Sequence, residues 1–126
     1  MSVSHTIPTD SVIFHLCRWP EWQHAMQQGV YVGSEAARAD GFLHFSRMQD
    51  VEQSARLHMR NINDLHVMVV DTIGMGSKIR WEASDSRDGA LFPHVYESVP
   101  MTAIIATLPV PLGAQGAYIF PDLSLF

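Results

Sequence analysis

Seven histidines are spread over 126 residues. Three of them interrupt apolar runs: His15 in VIFHL, His44 in GFLHFS and His94 in LFPHVY. Histidine titrates nearest neutrality of all side chains, so it serves as acid, base or metal ligand. Each run reads as a strand, and a strand sends alternate side chains to one face. His44 and Ser46 therefore point the same way, as do His94 and Tyr96. Glu82 closes KIRWE beside Trp81. A carboxylate against a large apolar ring is desolvated, which raises its pKa and suits it to proton transfer. His44, Glu82 and His94 are thus the candidate catalytic residues. His15, Ser46, Trp81 and Tyr96 are the candidate ligand-binding ones. The competing reading makes the histidines hydrogen-bonded strand residues, Ser46 a helix cap and Trp81 core. His5, His24 and His58 are expected in solvent or on helix faces, and His66 opens a strand.

Other chemistries lack their signatures. The chain has no Walker loop, GxSxG elbow, HExxH or GxGxxG. Gly74-Met75-Gly76 reads as a plain turn. Asp85-Ser86-Arg87-Asp88-Gly89 has the flavour of a calcium loop but not its spacing or its closing Glu. Two His and a carboxylate could hold Zn²⁺ with an open position, so a metal-dependent hydrolase using His44, His94 and Glu82 is an alternative, without local ligand spacing to support it. No metal ligand is therefore assigned.

These residues need a scaffold, and the sequence supplies one. Ser11–Cys17 reads as a first strand. Trp19-Pro20-Glu21 opens a helix, with Trp22, Ala25 and Met26 on one face and Gly29 as a left-handed cap. Val30–Val32 starts a second strand, and 33–40 reads as a mobile loop. Gly41–Phe45 is a strand, and Ser46 with Gln49 has the capping-box pattern, predicting a helix from Ser46 to about Asn61 with Met48, Val51, Ala55 and Met59 buried. Leu65–Asp71 is the clearest core strand. Lys78–Glu82 alternates, and Leu91–Tyr96 is a strand that Pro93 assigns to an edge or bulge. Met101–Val110 is the last strand, and the apolar tail to Phe126 packs back. The fold class predicted is α+β, with largely antiparallel sheets and two helices in the N-terminal half. One domain is expected over 11–126, with 1–10 frayed.

Bulk properties narrow the function. Nearly half the residues are apolar, only 17% are charged, and the formal net charge is −5. That composition buries a core but offers no cationic patch, since the eight Lys and Arg are scattered. Nucleic-acid binding is therefore not expected. Cys17 is the one cysteine, which fits a reducing compartment. No leader and no bilayer-length apolar run is visible, so a cytoplasmic location and no membrane partner are expected.

The blocks Val12-Ile13-Phe14-His15-Leu16-Cys17, Gly29-Val30-Tyr31-Val32-Gly33-Ser34, Asp40-Gly41-Phe42-Leu43-His44-Phe45-Ser46, Val70-Asp71, Arg80-Trp81-Glu82 and Leu91-Phe92-Pro93-His94-Val95-Tyr96 follow one another in an order that closely resembles the domain-of-unknown-function family DUF952, over about residues 11–122. The resemblance implies a bacterial protein and an ADP-ribosyltransferase-like fold, in which split antiparallel sheets surround a dinucleotide cleft. It further implies NAD or a related nucleotide as ligand or substrate, no certain cofactor, and a transferase activity in which His15 and Glu82 match the ribose-holding and dinucleotide-orienting positions. Fold analogy does not by itself carry function. A non-catalytic binding module is the third class.

Overall fold

The computed structural model describes residues 7–83 and 89–126. Among them the chain forms β1 (Val12–Arg18), α1 (Trp19–Gln28), β2 (Val30–Tyr31), α2 (Glu35–Asp40), β3 (Leu43–His44), α3 (Val51–His58), β4 (Leu65–Asp71), α4 (Thr72–Met75), β5 (Ile79–Ala83), β6 (Leu91–Val95), β7 (Val99–Pro100) and β8 (Ile104–Pro109). The strands make three small sheets, ordered β1-β4-β8, β2-β7 and β3-β6-β5. Every pairing between them is antiparallel. This is an α+β architecture of antiparallel sheets, as the residue patterns required. No described helix is long and apolar enough to cross a membrane.

The central position of β4 explains why Val67–Val70 is continuously apolar. Val67 and Val69 face one core cluster with Phe14, Val51, Ala55 and Leu123; Met68 and Val70 face the other with Ile13, Tyr31, Leu43, Phe45 and Val95. Both faces of the strand are covered, so no polar residue is tolerated in its middle. The tail packs as expected: Tyr118 and Phe120 lean on the second cluster, and Tyr118 donates its hydroxyl to the Met59 carbonyl. The last two residues, Leu125 and Phe126, are exposed.

Three local expectations are corrected. Residues 33–40 are not a loop: Ser34 Oγ accepts the Ala37 N–H at 3.1 Å, and Gly41 closes α2 in the left-handed region. Among the described residues three helices therefore precede β4, not two. Ser46 does not start a helix. It exchanges main-chain bonds with Phe14, which removes it from any helix, and α3 begins only at Val51. Met48 is accordingly exposed rather than part of a buried stripe, while Val51 and Ala55 are buried. Pro93 lies in the middle strand of its sheet, not at an edge. The Phe45 N–H donates to the Pro93 carbonyl at 3.0 Å, and the return bond is the one proline cannot make. The β3–β6 ladder ends there, so the missing donor costs nothing.

At the N-terminus, Arg47 reaches Asp10 through two bonds of 3.0 Å, and the Thr72 hydroxyl donates to the Asp10 carbonyl. Asp10 is thus tied to the body rather than frayed. The stretch likened to a calcium loop, 85–89, lies outside the described residues except for Gly89.

Candidate functional site

The third sheet builds the site by simple alternation. His44 of β3 lies opposite His94 of β6, and His94 lies opposite Arg80 of β5. His94 donates from Nδ1 to Glu82 Oε1 at 2.8 Å, since an ionised carboxylate only accepts. The Tyr96 hydroxyl donates to the same oxygen at 2.7 Å. That bond fixes the tautomer: when the ring is neutral its proton sits on Nδ1 and its lone pair on Nε2. The Phe42 ring stacks on His94 at 4.4 Å and also touches His44 and Tyr96. The His44 and His94 rings stand edge to face at 5.3 Å. The Arg80 guanidinium lies over the Tyr96 ring at 4.7 Å.

Glu82 does not behave as its neighbour Trp81 suggested. The Tyr96 hydroxyl first, then the His94 ring, hold its carboxyl below the usual carboxylate range, outweighing desolvation. The physical reason is strand parity: Trp81 points to the opposite face and packs against the first core cluster. Trp81 is therefore not brought to the site with Glu82. Because Tyr96 is the leading cause, Tyr96→Phe is expected to raise the Glu82 titration towards the ordinary value, with His94 retaining part of the effect. Carboxylate NMR across pH 2–6 reads it, and an unmoved Glu82 would contradict that ranking.

His44, His94, His15 and Ser46 line one cleft of about 610 Å³, together with Arg18, Glu21, Ser34, Asp40 and residues of α3. Glu82 reaches this cleft only through His94. His44 is exposed and pairs loosely with Asp40, at 3.3 Å. Ser46 is buried and its Oγ meets Ser54 Oγ at 3.0 Å.

His15 has a different character. Its Nδ1 lies 2.7 Å from the His44 carbonyl, which can only accept, so Nδ1 carries the proton. Nε2 is then the lone-pair nitrogen, and the buried Tyr31 hydroxyl donates to it at 2.7 Å. Both nitrogens are used, and burial holds the ring neutral by pushing its pKa down to about 4. Burial likewise pushes the nearby Cys17 thiol up to about 12, so it is no thiolate nucleophile at neutral pH.

The metal alternative finds no geometric support. The Nδ1 of His94 is committed to Glu82, and among the described residues no three His, Cys, Asp or Glu side chains are grouped to hold an ion. Sequence reasoning did not nominate Phe42, Asp40 or Arg80. Phe42 and Arg80 had a readable signal, since each shares strand parity with a nominated residue, His44 and Glu82 respectively. Asp40 had none, because its helix was not recognised.

The comparisons with known proteins agree with this architecture. No curated protein matches the chain. The crystal structure of protein CC0527 from Caulobacter crescentus superposes with a TM-score of 0.79 at 30% identity, covering 86% of this chain and 93% of that one. The solution NMR structure of CC0527 gives 0.72 at 31% identity, covering 85% and 90%. The family described as a protein of unknown function, DUF952, matches residues 16–107. With most of its length inside that match, the chain belongs to the DUF952 family.

Proposed function

We propose that the cleft binds a nucleotide-like small molecule, NAD being the first candidate, and that His94 acts there as a general base in an ADP-ribosyltransferase-like reaction. The observation that carries the reading is the pair of bonds to Glu82 Oε1. They orient His94, keep Glu82 ionised and leave Nε2 as the basic nitrogen of a residue that lines the cleft. A base positioned in this way contributes about 10²–10⁴-fold to a rate. In the proposed transfer the ribose–nicotinamide bond breaks, its electron pair leaving with nicotinamide. An acceptor hydroxyl bonds to the sugar carbon and gives its proton to His94 Nε2. Glu82 then stabilises the imidazolium. Its negative charge also favours the positive character that develops on the sugar. The cleft volume lies within the range of small-molecule sites.

The test is a melting series of the wild type and His94→Ala with millimolar NAD, ADP-ribose or nicotinamide. A ligand at a hundred times its Kd is expected to stabilise the wild type by about 2.7 kcal/mol. His94→Ala should lose that shift at little cost in stability, because Glu82 keeps its bond from Tyr96. No shift of the wild type with any of the three, together with a large destabilisation by His94→Ala, would leave the histidine as a structural residue and overturn the proposal.

A further inference from the structure

The first and third sheets meet at a single isolated bridge. Phe14 and Ser46 exchange both main-chain bonds, at 2.9 and 2.7 Å. In an antiparallel ladder the next such exchange falls two residues on along one strand and two back along the other. Here that pair is Leu16 with His44. It does not form a bridge: Phe14–Ser46 stands alone, and Phe45 belongs to no strand. Yet both residues are turned the right way. Leu16 has the same parity as Phe14, so its N–H and C=O face away from β4. His44 faces away from β6, because its neighbour Phe45 makes the bond to Pro93.

What occupies the His44 carbonyl is a side chain. His15 Nδ1–H donates to it at 2.7 Å. The imidazole is locked from behind by the Tyr31 hydroxyl of β2 at 2.7 Å and flanked by the Phe45 ring at 4.9 Å. One ring thus joins all three sheets at the point where β1 and β3 part. His15, Leu16, His44, Phe45 and Ser46 all line the cleft that opens there.

From this juxtaposition we infer that His15 is a positioning residue that keeps the cleft open: by taking the His44 carbonyl it stops the β1–β3 ladder after one bridge and holds His44 beside His94. Its importance to a ligand rests on the reading of the cleft given above; the strand geometry does not. In this role His15 need not touch a ligand, since both of its nitrogens are spent on the protein.

The experiment is amide hydrogen exchange by NMR on the full chain. In the wild type the Leu16 amide is expected to exchange fast while its neighbours His15 and Cys17, paired to β4, are protected. In His15→Val the carbonyl is released and the ladder can close. Leu16 protection should then rise about tenfold, the equivalent of one main-chain hydrogen bond gained. The His44–His94 ring contact should be lost from the nuclear Overhauser spectrum. In His15→Asn the amide nitrogen stands where Nδ1 stood, so Leu16 should stay fast and the ring contact should persist. General loosening would raise exchange along the whole of β1, the opposite direction. A protected Leu16 amide in the wild type would overturn the inference, as would unchanged Leu16 exchange in a folded His15→Val. If His15→Val does not fold, the wild type and His15→Asn decide. The expected exchange pattern without any nucleotide shift of the wild type would support the role of His15 and sink the nucleotide reading alone.

Discussion

Lowering the pH from 7 to 4 is expected to cost the fold about 3 kcal/mol through His15 alone. The folded ring is neutral, donating to the His44 carbonyl and accepting from Tyr31. Burial is the main cause of its depressed pKa. The His44 carbonyl opposes it, and the charge of His44 adds a smaller depression. In the unfolded chain the same ring takes up a proton from about pH 6.5 downward, whereas the native ring resists until about 4. Between those values the unfolded state binds more protons, so stability rises with pH across the window. It is complete above about 6.5 and lost as the pH falls towards 4. Glu82 acts lower: its depressed pKa gives stability above the ordinary carboxylate range that disappears below it, so its loss follows that of His15. Urea titrations at pH 7, 5.5 and 4 measure the effect, with His15→Asn as the non-titrating control. The wild type should lose the stated amount relative to that control. Parallel profiles for the two proteins would mean that the ring is not held neutral.

The elements that could be read from the sequence were those whose signals are local and redundant. β4 announces itself by a run that only burial on both faces explains, and α1 by Pro20 near its start and Gly29 in the left-handed region at its end. The partnership of Glu82, His94 and Tyr96 was also legible, because alternation in KIRWE and LFPHVY puts all three on one face of one sheet once β5 pairs with β6. What failed was decided by distant residues. Ser46 and Gln49 have the letters of a capping box, but Phe14, 32 positions earlier, claims the main chain of Ser46. Pro93 points to an edge or bulge only while its missing donor is counted without knowing that β3 ends opposite it. The helix α2 was missed through its lack of any large apolar residue, although Ser34 and Gly41 bracketed it. His15 was nominated for ligand binding on its residue type. Nothing in VIFHL could reveal that Tyr31 and the His44 carbonyl would take both of its nitrogens.

Gly33→Ala is expected to destabilise the protein by about 3 kcal/mol, combining left-handed strain of about 1–2 with overpacking of about 1–3 kcal/mol. Gly33 has φ +83°, and an added Cβ would run into the Leu43 side chain and stand 3.2 Å from the Ala37 Cβ. The Leu43 methyl is the far end of a side chain, which elsewhere would swing aside. Here it is buried in the core cluster with Phe45 and Val95, so there is nowhere for it to go without a cavity or a clash. The easier response is for α2 to lift away from β3. That helix carries Ala37 and Asp40 along one wall of the cleft, and Asp40 is the partner of His44. Gly29 and Gly41 provide internal controls. Each has a positive φ, 77° and 85°, but an added Cβ meets nothing within 4 Å. Their alanine variants should therefore show the strain alone, about 1–2 kcal/mol each. Denaturant midpoints of the three variants give the order, and a domain this small has only about 5–15 kcal/mol in total, so the difference is readily seen. If the cleft binds a nucleotide, Gly33→Ala should also weaken the NAD-induced thermal shift under conditions where Gly29→Ala leaves it intact. A Gly33→Ala variant no less stable than Gly29→Ala would mean that Leu43 yields freely, and that α2 is not held against β3 by the absence of a side chain at position 33.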